Sequence, residues 1–87
     1  MNLDVVETLQ ELVRLPSVNP MGREVQGDEY LEYQVTDYLE QWFQTLGVPY
    51  FRQQLEPKRA NIVARLDGDL PPEVGGSIIM FEAHQDT

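Results

Sequence analysis

No cysteine occurs anywhere in these 87 residues, which rules out a disulfide framework and thiolate-bound zinc and fits a reducing compartment. Positive charge is also scarce: six Lys and Arg stand against fifteen Asp and Glu, a net charge of −9 with the histidine neutral. Nucleic acid and anionic membranes both select a positive footprint, so neither is expected as a partner. Solubility is the plain use of the acidic excess. No apolar run approaches the ~20 residues of a membrane-spanning helix. The acidic, amphipathic start lacks a basic n-region and an apolar h-region, so no signal peptide is visible and the cytoplasm is the expected compartment. Phosphate-cradling glycine motifs, the Gly-x-Ser-x-Gly elbow of serine hydrolases, internal repeats and low-complexity tracts are all missing. Histidine is reduced to a single residue, His84. A chain of this length makes one small domain that buries only about 60–65% of its unfolded surface, so its stability margin is thin.

What is present divides cleanly by periodicity. Val5, Val6, Leu9, Leu12 and Val13 recur at helical spacing with Glu7, Gln10, Glu11 and Arg14 opposite, which predicts a short amphipathic helix. Asn2 or Asp4 can cap it, Glu7 follows Asp4 at capping-box spacing, and Pro16 stops it near Leu15. Pro16 to Gly27 holds two prolines and two glycines and reads as an extended loop in which Ser17 and Asn19 are turn formers rather than ligands. A second helix is expected from about Asp28 to Leu46, with Leu31, Val35, Leu39, Trp42 and Leu46 on one stripe, acidic residues at its start and Gly47-Val48-Pro49 as its stop. Tyr30, Tyr33, Tyr38 and Trp42 read as packing surface rather than a ligand-stacking face.

Tyr50–Leu55 and Asn61–Leu66 are β-prone runs joined by 56–60, an antiparallel hairpin pattern. Lys58-Arg59 in the connection is read as a solvated turn in preference to an anion site. Residues 67–76 form a turn-rich loop whose Asp67-Gly68-Asp69 lacks the glycine and terminal glutamate of a calcium loop. The last stretch, Ser77 to Thr87, has four consecutive apolar residues, Ile78 to Phe81, without alternation. That pattern predicts a strand buried on both faces, of the kind found in sheets covered by helices. Such sheets place working residues just beyond the carboxyl ends of their strands, where His84 and Asp86 fall. In extended backbone the two-residue period puts both on one side of the chain. The order helix, helix, hairpin, buried strand describes part of an α/β sandwich, and its uncovered edge leads us to expect an incomplete one.

Two readings of His84 stand on the residues alone. In one it is a surface or hydrogen-bonded structural histidine. In the other it is a metal ligand whose ring is oriented by the Asp86 carboxylate. Zinc needs about four ligands, or three and a water, so any further ligands must lie outside these residues.

Several motifs together resemble a known family. Phe81-Glu82-Ala83-His84-Gln85-Asp86-Thr87 is similar to the first metal motif, His-x-Asp-Thr, of zinc metallopeptidase family twenty, which includes aminoacylases, acetylornithine deacetylase, succinyl-diaminopimelate desuccinylase and glutamate-releasing carboxypeptidases. Residues 12–20, with Pro-Ser-Val-Asn-Pro, resemble its opening helix and turn; Leu46-Gly47-Val48 the end of its second helix; and residues 59–64 its second strand. The resemblance implies an α/β catalytic domain with a mixed sheet between helices, of which residues 1–87 are the amino-terminal part with no second domain. It implies two zinc ions, with cobalt or manganese as substitutes, small N-acyl amino acids or peptides as substrates, and a parent that can be a homodimer. On matching positions His84 would bind one zinc and Asp86 would hold its ring; Thr87 belongs to the motif without assigned chemistry. The bridging aspartate, the glutamate pair and the distal histidine have no counterpart here, so the chain alone is expected to be inactive. The competing expectation is a non-catalytic acidic α/β interaction module, or a degenerate homologue, in which His84 and Asp86 bind no metal.

Overall fold

The computed structural model describes residues 3–87. Its elements are two helices, a two-stranded antiparallel hairpin and a single 3-10 turn at Pro72–Val74. This small α/β arrangement agrees with the expected order as far as the hairpin.

Helix α1 (Val5–Arg14) begins where the Asp4 carboxylate accepts the Glu7 N–H at 3.0 Å and ends at Leu15, directly before Pro16. The alternative cap, Asn2, lies outside the described residues. The stripe that makes α1 amphipathic is largely uncovered: Val5 is 80% exposed, and Val6, Leu9 and Val13 are exposed as well. One visible tie to the rest is polar, the Tyr38 hydroxyl donating to the Glu11 carboxylate.

Helix α2 spans Tyr33–Leu46, not the expected Asp28–Leu46. The lost first turn was captured by a different partner. Val18 donates its N–H to the Glu29 carbonyl at 2.8 Å and accepts the Leu31 N–H at 2.9 Å, a parallel bridge between Val18 and Tyr30. Backbone groups committed sideways cannot also serve an i to i−4 ladder. Leu31 then turns through φ +69°, a left-handed conformation that a leucine adopts only under tertiary constraint. The far end of α2 follows the sequence: Gly47, at φ +72°, caps it by donating its N–H to the Gln44 and Phe43 carbonyls.

The hairpin pairs β1 (Tyr50–Glu56) with β2 (Arg59–Ala64), Tyr50 opposite Ala64 and Arg52 opposite Ile62, with an irregularity between Gln54 and Glu56. It is tighter than expected, because Lys58 takes a positive φ of 64° and closes the turn beside Pro57. On β2, Ala60 and Ile62 lie inward while Asn61 and Val63 are exposed, the two-residue alternation of a strand with one covered face. That face meets α2. Lys58 and Arg59 are engaged within the chain. The Lys58 ammonium sits 5.3 Å from the Tyr33 ring centroid, and Arg59 forks onto Glu32 at 3.0 and 3.3 Å.

The expected buried strand at 78–81 does not form. Residues 77–83 carry no strand assignment, and Ile78, Ile79, Met80 and Phe81 are 70, 79, 76 and 94% exposed. A strand buried on both faces needs a hydrogen-bonded neighbour and a covering layer on each side. Here β1 already holds one edge of β2, and no backbone bond among the described residues joins 77–83 to the other edge. Ile78, Ile79 and Met80 instead line an open cleft of about 450 Å³ with Val63 to Leu66, Leu70 and Pro71. Gly76 shapes this region, since a Cβ there would lie 1.9 Å from the Leu70 carbonyl oxygen.

The interior is consequently small and largely polar. Among the described residues the buried set is Val35 and Ala60 with Ser17, Glu32 and Thr36. The radius of gyration, 15.4 Å, exceeds the ~12 Å expected of a packed domain of this length.

Candidate metal-ligand site

The site is built where residues 85–87 dock onto that polar interior. Gln85 reaches between α2 and β2: its Oε1 accepts from the Thr36 hydroxyl at 2.6 Å and its Nε2 donates to the Ala60 carbonyl at 3.0 Å. Thr36 is fully buried, and the Glu32 carbonyl, 3.2 Å from its hydroxyl oxygen, shares that single proton as the longer contact. Two residues later the backbone takes over. Thr87 donates its N–H to the Ser17 carbonyl at 2.8 Å and accepts the Asn19 N–H at 2.9 Å. This is the parallel pattern, on the side of Val18 opposite to Tyr30. The turn segment 17–19 therefore lies between 29–31 and Thr87, a minimal parallel ladder made of residues the sequence assigns to loops.

Between these two anchors, Asp86 is fixed by Asn19, whose Nδ2 donates to Oδ2 at 2.6 Å. Its other oxygen, Oδ1, lies 3.2 Å from His84 Nδ1, and its backbone carbonyl oxygen lies 2.8 Å from the same nitrogen. The His84 ring and Asp86 thus lie within hydrogen-bonding distance of each other. A carbonyl oxygen can only accept, so Nδ1 carries the proton in the neutral ring and Nε2 presents its lone pair. The His84 side chain is 85% exposed and that of Asp86 25%. The Asn19 amide, followed by Asp86's own backbone and by His84, holds the Asp86 carboxyl below its ordinary range against a smaller opposing effect of desolvation.

The donor set defines the chemistry available. Among the described residues no group of three or more His, Asp or Glu side chains is arranged to hold a metal ion. One neutral imidazole, oriented through Nδ1 and open at Nε2, fits a single ligand position of a zinc site, with Asp86 as its orienting acceptor. It does not fit a complete site.

The sequence singles out His84 and Asp86, which the structure places side by side, and gives no sign of the residues that hold them. Asn19 is a turn former as expected, its Oδ1 accepting the Met21 N–H at 2.8 Å, and it is also the partner of Asp86 some 67 positions away. Gln85, Thr36 and the buried Ser17 gave no signal, since a glutamine between two chemically suggestive residues looks like a spacer. Set against known proteins, the chain matches no family model, no curated protein and no solved structure. The likeness to zinc metallopeptidases therefore rests on the motifs themselves.

Proposed function

We propose that residues 1–87 are the amino-terminal part of the catalytic domain, a mixed-sheet α/β/α sandwich, of a cytoplasmic zinc-dependent amidohydrolase or exopeptidase acting on small N-acyl amino acids or short peptides. The observation that carries this reading is the state of the imidazole. Asp86 occupies Nδ1 twice over, and Nε2 faces solvent. In this reading His84 contributes one ligand through Nε2, Asp86 fixes the ring's tautomer and direction, and Gln85 and Thr87 clamp this stretch of chain to the domain. Zinc, when bound, supplies a Lewis acid that polarises an amide carbonyl and acidifies a water. The remaining ligands and the general base belong to residues beyond these, so the 87 residues alone are expected to turn over no substrate.

Zinc titrated into the chain should bind weakly and shift the His84 ring resonances. Asp86→Ala, which removes the carboxylate at 3.2 Å and keeps the backbone carbonyl at 2.8 Å, should weaken that binding about tenfold, the lower end of the effect of losing a ligand's hydrogen-bond partner. Zinc binding indifferent to Asp86, or tight stoichiometric binding by the chain alone, would overturn these roles. A reading frame continuing past Thr87 is expected to encode an aspartate, a Glu-Glu pair and a late histidine.

The exposed run Ile78–Phe81 favours a second reading, an acidic interaction module whose His84 and Asp86 bind no metal, because an apolar patch of that kind marks contact surfaces. A ring that ignores millimolar zinc would select it.

A further inference from the structure

Asn19 uses its two side-chain atoms for two different jobs. Its oxygen accepts the Met21 N–H at 2.8 Å and so closes the turn after Val18; its nitrogen donates to Asp86 Oδ2 at 2.6 Å. An amide is the short side chain that can accept at one end and donate at the other, whereas the isosteric carboxylate only accepts. Asp86 in turn supplies both oxygens that face His84 Nδ1. Whatever fixes Asp86 therefore fixes the ring.

We propose that Asn19 is the positioning residue of the Asp86–His84 pair, its amide tying the turn at 19–21 to the Asp86 carboxylate and thereby aiming His84 Nε2. The functional meaning of this tie rests on the zinc reading above; the tie itself does not. The loop at 17–19 thus belongs to the site rather than to its surroundings. The bridging backbone bonds of Ser17 and Asn19 to Thr87 hold the two segments in register so that the amide meets the carboxylate.

The substitution Asn19→Asp separates the two jobs, because it keeps the acceptor for Met21 and removes the donor for Asp86. Nitrogen NMR of the His84 ring, recorded in metal-free protein at a pH where the ring is neutral, reads the tautomer. Asn19→Asp should lower the Nδ1-protonated population at least as much as Asn19→Ala and weaken zinc binding about tenfold, while the Met21 amide keeps its hydrogen bond. Were Asn19 only a turn former, Asn19→Ala would disturb the ring and Asn19→Asp would not, and the proposal would fall. The double variant N19D/D86N rebuilds the tie in reverse, with the new amide donating to position 19 and its carbonyl oxygen accepting from Nδ1. It should restore the tautomer, and failure to do so counts against the proposal. A tautomer that responds to Asn19→Asp without any change in zinc binding would keep the tie and reject the ligand role. Zinc binding that depends on Asp86 but not on Asn19 would do the opposite.

Discussion

Residues 78–81 and residues 85–87 lie close together in the chain and behave in opposite ways. The first stretch is wholly apolar and stands in solvent, Phe81 94% exposed. The second, Gln85-Asp86-Thr87, is wholly polar and is held by hydrogen bonds to Thr36, Ala60, Ser17 and Asn19. Hydrophobicity supplies a drive to be buried but no address. An address comes from complementary donors and acceptors, and 85–87 found theirs in the loop at 17–19 and in the face shared by α2 and β2.

If that contrast is right, damage at the polar anchor should be costly and damage in the apolar run nearly free. The largest effect is expected from Gln85→Ala. It strips two hydrogen bonds at once, leaving the Thr36 hydroxyl with the longer contact to the Glu32 carbonyl and the Ala60 carbonyl without its side-chain donor, at about 1–3 kcal/mol in all. Urea denaturation should show the loss, and the Thr87 amide should lose its protection from hydrogen exchange. Next comes Glu32→Gln, which breaks the fork onto Arg59 at a carboxylate only 11% exposed. About 1–2 kcal/mol is expected from the loss of a charge-assisted pair, and a full-strength fork in the variant would contradict the geometry.

A smaller, pH-dependent effect belongs to Glu40. Hydrogen bonds from Arg52 and then Tyr50 hold its carboxyl below the ordinary range. A carboxyl lowered in the folded state stabilises above its unfolded pKa, and that contribution disappears as pH falls through the folded value. Stability measured from pH 7 downward should therefore fall on the acid side, and Arg52→Met should flatten that limb. The smallest effect on stability is predicted for Phe81→Ala, within about 0.5 kcal/mol as for other surface changes. The same variant should reduce any self-association seen by light scattering at high concentration. A core-sized loss of stability on Phe81→Ala would show the run to be buried after all and would erase the contrast.

Local signals carried the helices and the hairpin. Asp4 capped α1 and Gly47 ended α2, because caps and left-handed glycines act within a few residues of themselves. Prediction failed where a distant partner intervened. Residues 28–32 have a helical pattern, yet the bridge from Val18 took them, and nothing nearby encodes that competition. In the candidate site, His84 and Asp86 were legible because few side chains do ligand chemistry. Asn19, Thr36 and Gln85 were not, since amides and hydroxyls acquire a role only from what lies opposite them.

By itself the sequence determined that two helices and a hairpin follow one another, and where each helix stops, because caps, prolines and left-handed glycines act through sterics along the backbone. Only the tertiary structure decided that the apolar run 78–81 stays open, that the loop at 17–19 becomes the middle of a ladder, and that an asparagine 67 positions away grips Asp86. Those outcomes depend on which donors meet which acceptors in space, and sequence separation is silent about that.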